Sequence, residues 1–99
     1  MQTWFVLRRR GAGFAADQPV EGQPDWGGHV AYMMRLAKAG SLISAGPFGD
    51  RDGALLIFRA GSEAQVEALV AEDPWTANGV LETEMLACWD VRIGQLPGA

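Results

Sequence analysis

Two kinds of spacing run through the apolar positions of this chain. Residues 3–8 (Thr-Trp-Phe-Val-Leu-Arg) are rich in aromatic and β-branched types and read as a first strand. From Trp26 to Ala39 the apolar residues return at helical spacing, and Gly40 supplies a stop. Ser41 to Phe48 reads as a strand again. Gly49-Asp50-Arg51-Asp52-Gly53 is a tight turn, and Ala54 to Arg59 is the returning strand of a hairpin. Ser62, with Gln65 three residues on, marks the start of a second helix. That helix must end near Asp73, because Pro74 disfavours helical geometry in the residue before it. Asn78-Gly79 is a turn, and Val80 to Ile93 is a long last strand, with Thr83, Met85, Ala87, Trp89, Val91 and Ile93 on one side.

The order β-α-β-β-α-β, with short connections and right-handed crossovers, predicts an α+β fold of the ferredoxin-like kind, both helices on one face of the sheet. That face accounts for half of the sheet's side chains. Ala54-Leu55-Leu56-Ile57-Phe58 does not alternate, so it offers apolar groups to both faces, and Phe5, Leu7, Leu86 and Cys88 are assigned to the uncovered one. A sheet apolar on both sides needs a second cover. The economical one is another copy of the chain, packed sheet to sheet as a homodimeric α+β barrel.

Composition narrows the function. A chain of 99 residues, 48% hydrophobic, is read as one domain, 1–99, with 94–99 as a flexible C-terminal tail. The formal charge is −4 and the pI about 4.7, so nucleic acid and anionic lipid are poor partners. The one basic cluster, Arg8-Arg9-Arg10, reads as a solvated strand end. A single cysteine, Cys88, excludes an internal disulfide and thiolate metal clusters. Met1-Gln2-Thr3-Trp4 is unlike a secretion signal, and no apolar run approaches the roughly 18 residues of a membrane span. A cytoplasmic protein is expected.

Two ionisable residues stand out of place. His29 lies within the apolar stripe of the first helix, with Met33 one turn on and Leu36 the next, while Arg35 and Lys38 take the far side. In the second, Val66, Leu69 and Val70 define a stripe that Asp73 continues, and Glu63 and Glu67 point away. A carboxylate turned towards an apolar layer needs hydrogen bonds, a counter-charge or water. The chain's one histidine can meet that need. Asp73 would then fix the tautomer of His29, leaving the imidazole as general base or acid. Each residue type also has a plainer use, since an inward histidine is often a hydrogen-bonded core residue and an aspartate before proline often forms a turn. No Gly-rich segment has phosphate-loop spacing, and neither Ser41 nor Ser44 stands in a nucleophile elbow.

The segment His29-(x)6-Leu36-(x)3-Gly40-Ser41-Leu42-Ile43-Ser44-Ala45-Gly46-Pro47 resembles the first signature of the YCII-related (YciI-like) domain family. Ser62-Glu63-Ala64, then Asp73-Pro74-Trp75 and Gly79-Val80, resembles the second. The resemblance runs from the first strand to about Trp89. It implies the dimeric ferredoxin-like barrel and an active-site histidine–aspartate pair, which falls on His29 and Asp73. Family members often carry an arginine shortly before that histidine, where this chain has Trp26, and a proline where it has Cys88.

Together these features predict a small-molecule enzyme of the isomerase or lyase type. Its His29–Asp73 dyad would move a proton in an apolar pocket walled by Phe14, Trp26, Phe48 and Trp75, with Gly46-Pro47 letting the backbone come close. The long Gly- and Pro-containing segment 9–25 would lie near that pocket. Neither cofactor nor metal is called for. The alternative is a dimer that binds a small molecule without transforming it, or a stress-related accessory protein.

Overall fold

The computed structural model describes residues 1–96, so the last three residues of the expected tail 94–99 lie outside the described residues. Four strands and three helices follow in the order β1 (Gln2–Arg10), α1 (Trp26–Ala39), β2 (Leu42–Pro47), β3 (Ala54–Ala60), α2 (Glu63–Ala71), α3 (Pro74–Ala77) and β4 (Leu81–Cys88). The sheet order is β2-β3-β1-β4 and every neighbouring pair is antiparallel. This is the ferredoxin-like βαββαβ arrangement that the pattern predicts, with α3 added.

Period two decides what each strand buries. Trp4 and Val6 of β1, Leu56, Phe58 and Ala60 of β3, and Leu42 of β2 form one core with Tyr32 and Leu36 of α1 and Val66 and Val70 of α2. Tyr32 anchors the two helices, its hydroxyl donating to the Leu69 carbonyl at 2.7 Å. Ser62 caps α2 by accepting from the Gln65 N–H at 3.2 Å, and the Gln65 side chain reaches back to the Gly61 N–H at 2.7 Å, one residue earlier than in the usual reciprocal cap.

β4 differs from expectation in two ways. It ends at Cys88 rather than Ile93, because its partner β1 begins at Gln2; the last rung is the Trp89 N–H donating to the Thr3 carbonyl. Its register also shifts where Leu7 faces Met85 but Arg8 faces Thr83, so Glu84 is an extra residue. That bulge reverses the alternation. Thr83 therefore shares the face of Arg8, on the helix side, while Met85 and Ala87 share the uncovered face with Phe5 and Leu7. Leu86 and Cys88, assigned above to the uncovered face, pair with Val6 and Trp4, and Leu86 packs on the core beneath the helices.

The segment 9–25 contains more regular structure than its composition suggests. β1 takes its first residues, and Val20–Gly22 makes a 3-10 turn. Gln23, buried, holds the rest: its amide donates to the carbonyls of Ala15, Gln18 and Pro19 and accepts from the Ala15 N–H at 2.7 Å. Gly11 and Gly13 then donate to the carbonyls of Val80 and Gly79, both at 2.9 Å. The approach leaves no room for side chains, since a Cβ on Gly11 would stand 2.1 Å from the Gly79 oxygen.

Candidate active site

His29 occupies the first turn of α1, and that turn is set by Asp25, whose side chain accepts from the Gly28 N–H at 3.2 Å. A Cβ at Gly28 would lie 2.5 Å from the Asp25 carboxylate, so a glycine beside the histidine is what admits this cap. Asp73 lies in the link between α2 and α3. It is the N-cap of α3, with Pro74 at the first helical position, and its Oδ1 accepts from the Trp75 N–H at 3.0 Å.

The same oxygen meets the histidine. His29 Nδ1 and Asp73 Oδ1 are 2.8 Å apart, and both side chains are largely withdrawn from water. With the carboxylate acting as acceptor, Nδ1 carries the proton and Nε2 is the nitrogen left for a ligand; the tautomer is assigned from this bond. The turn-forming and the partnering uses of Asp73 are thus made by one atom. The α2 stripe gives the right direction for Asp73 but not its setting, because the helix has ended at Ala71 and α3 begins just beyond it.

Trp75 completes the support. Its indole is stacked on the His29 ring, centroids 3.7 Å apart and planes 6° from parallel. Its Nε1 donates to the Pro24 carbonyl at 2.6 Å, which ties α3 to the end of the long segment. Trp26 leans against both rings at 6.2 and 5.6 Å.

These groups border a cavity of about 310 Å³ between α1, the hairpin and the 9–25 segment. Phe14, Trp26, Gly46, Pro47, Phe48 and Trp75, the six expected wall positions, all line it, as do His29 and Asp73. Among the described residues no group of three or more His, Cys, Asp or Glu could hold a metal ion.

Arg8 corrects the reading of the basic cluster. Instead of ending β1 in solvent, it is buried on the helix side, in phase with Trp4 and Val6, and it lines the cavity. Its guanidinium donates to Thr76 Oγ1 at 2.7 Å and to Thr83 Oγ1 and the Leu81 carbonyl at 3.1 Å. Burial lowers its pKa from the ordinary arginine value, and the charges of Asp73 and then Glu82 oppose that shift. Period two along β1 carried this signal. The run of three arginines obscured it.

The chain belongs to the YCII-related domain family, whose model matches residues 15–90. No curated protein matches the sequence. Among solved structures, the chain is similar to 5-chloro-2-hydroxyhydroquinone dehydrochlorinase (TftG) from Burkholderia phenoliruptrix AC1100, in complex with 2,5-dihydroxybenzoquinone. The two share 23% identity and a TM-score of 0.60, over 92% of this chain and 95% of that one. At that identity the likeness shows the fold.

Proposed function

We propose that this protein is a small-molecule enzyme of the isomerase or lyase type, with His29 as its general acid and base and Asp73 as the group that orients it. The observation that carries this reading is the 2.8 Å bond between His29 Nδ1 and Asp73 Oδ1 at the wall of an apolar cavity. Nε2 takes a proton from an acidified C–H of the substrate, and the electron pair forms a new π bond. The imidazolium then returns the proton elsewhere on the same molecule, or the pair expels a leaving group. Asp73 stabilises the imidazolium while it lasts. A positioned base of this kind contributes about 10²–10⁴-fold, and proton transfer by an imidazole requires no cofactor.

The structural neighbour is by name a dehydrochlorinase, and an elimination fits the same reading by analogy of fold. The 9–25 segment covers one side of the cavity through Phe14 and Val20. The uncovered sheet face, with Phe5, Leu7, Ile57 and Met85, is the surface on which a second copy would close a barrel. Among the described residues no helix is long and apolar enough to cross a membrane. A cytoplasmic location is a separate part of this proposal.

The test is turnover of small cyclic carbon acids in deuterated water, followed by deuterium incorporation or by release of the leaving group. Wild-type protein should exchange or eliminate, and His29→Ala and Asp73→Ala should be slower by about two orders of magnitude or more. Equal rates for all three would overturn the acid/base role. Binding of ligand with no product under any condition would make this a binding protein.

A further inference from the structure

Arg8 holds one donor that nothing in the protein uses. Of the described residues' fully buried side-chain nitrogens and oxygens, its Nε alone lacks a hydrogen-bond partner. The residue is 1% exposed and borders the cavity that also holds His29. Leaving a charged buried donor unpaired is costly, and native proteins seldom do so without a ligand, ion or water to meet it. The rest of the guanidinium is fastened by Thr76, Thr83 and the Leu81 carbonyl, so the free N–H is held in a fixed direction. Arg10 also lines the cavity and lies over the Phe14 ring at 4.1 Å. Arg10 and Arg51, which also border the cavity, are paired with Asp52 at 3.1 Å and Asp50 at 3.0 Å, whereas the bonds of Arg8 to Thr76, Thr83 and Leu81 all go to neutral groups. Among the described residues its charge is therefore the one on this wall left for an anion.

We infer that the cavity selects a planar organic anion, a carboxylate or phenolate whose oxygen accepts the free Nε–H of Arg8 while its apolar body lies among the aromatic walls. Charge-assisted bonds to a buried, preset arginine discriminate strongly between an anion and its neutral analogue. At 310 Å³ the cavity is about twice the size of an apolar cavity known to hold benzene, room for one substituted ring. Arg8 thereby supplies a cation that Trp26 does not provide. The inference deepens the proposed acid/base function and rests on it for what happens to the bound anion.

The experiment is a titration of the wild-type chain with benzoate, 4-nitrophenolate and the neutral benzamide, followed by the arginine Nε–H resonances. Arg92, which pairs with Asp90 outside the cavity, provides the internal control. At least one anion should saturate at millimolar concentration or below, shift the Arg8 Nε–H and leave Arg92 unmoved. It should bind about tenfold or more tightly than benzamide, and which anion binds names the source of the oxygen. Arg8→Lys should lose that preference; should this variant fail to fold, the wild-type comparison decides. Equal affinity for benzamide, saturation without movement of the Arg8 resonance, or no anion binding would each overturn the inference. These titrations involve no chemistry, so their failure is distinct from failure of the acid/base role, which is read from rates.

Discussion

The ring of His29 lies flat on the indole of Trp75, 3.7 Å between centroids and 6° from parallel, while Asp73, two residues before that indole, holds the ring's Nδ1. One short stretch, Asp73-Pro74-Trp75, thus fixes the histidine both in its plane and along its edge. Trp75 is buried and fastened to the Pro24 carbonyl, so Trp75→Ala should cost about 3–5 kcal/mol in urea unfolding. Trp75→Phe keeps a stacking face and should retain most of the stability. It should also retain the tautomer of His29.

Asp73→Asn separates the two uses of that side chain. The amide oxygen can still accept from the Trp75 N–H, so helix α3 remains capped and stability should fall by no more than about 1 kcal/mol. The negative charge that supports an imidazolium is gone, and turnover should drop by about 10²–10⁴-fold. Asp73→Ala should lose activity too, and in addition about 1–3 kcal/mol from groups left unpaired. Denaturant titration beside rate measurement checks both variants.

Tyr32 is the chain's one tyrosine, so its ionisation can be read directly from ultraviolet absorbance. Burial pushes its phenol above the ordinary value, and the charge and side-chain contact of Glu72 push it further. The native midpoint should exceed that of the denatured chain, near pH 10. The sign for stability follows. Below about pH 10 both states hold the proton and there is no pH effect; as pH rises the unfolded chain ionises first, and stability falls until the folded phenol ionises too. Tyr32→Phe should remove this alkaline loss.

Met85 faces outward from the uncovered sheet and is half exposed, so Met85→Glu should leave the chain's own fold intact. If that face receives a second copy, native mass spectrometry should show wild-type dimer at micromolar concentration and variant monomer. A wild-type monomer would contradict the sheet-to-sheet arrangement.

Much of this architecture is legible in the residues. The switch from strand-like runs to helical spacing gives βαββαβ, and inward positions of His29 and Asp73 follow from the stripes they share with Leu36 and Val70. Other features depend on partners distant in the chain. The Glu84 bulge is invisible without the register against β1, yet it decides that Thr83 lies on the helix-side face, where it meets Arg8. Helix α3 is only four residues long and owes its start to Asp73 and Pro74, below what any periodicity can reveal. Gln23 is a polar residue in a polar segment, and its burial comes from the carbonyls that gather round it.

The claim on which the rest turns is that Asp73 holds His29 with the proton on Nδ1 and the lone pair on Nε2. The chain has one histidine, so nitrogen-detected NMR of its ring, at a pH where the ring is neutral, reads the tautomer without ambiguity. The expected result is an Nδ1–H tautomer in the wild type that is lost in Asp73→Ala. An Nε2–H ring in the wild type, or a tautomer indifferent to Asp73, would contradict it.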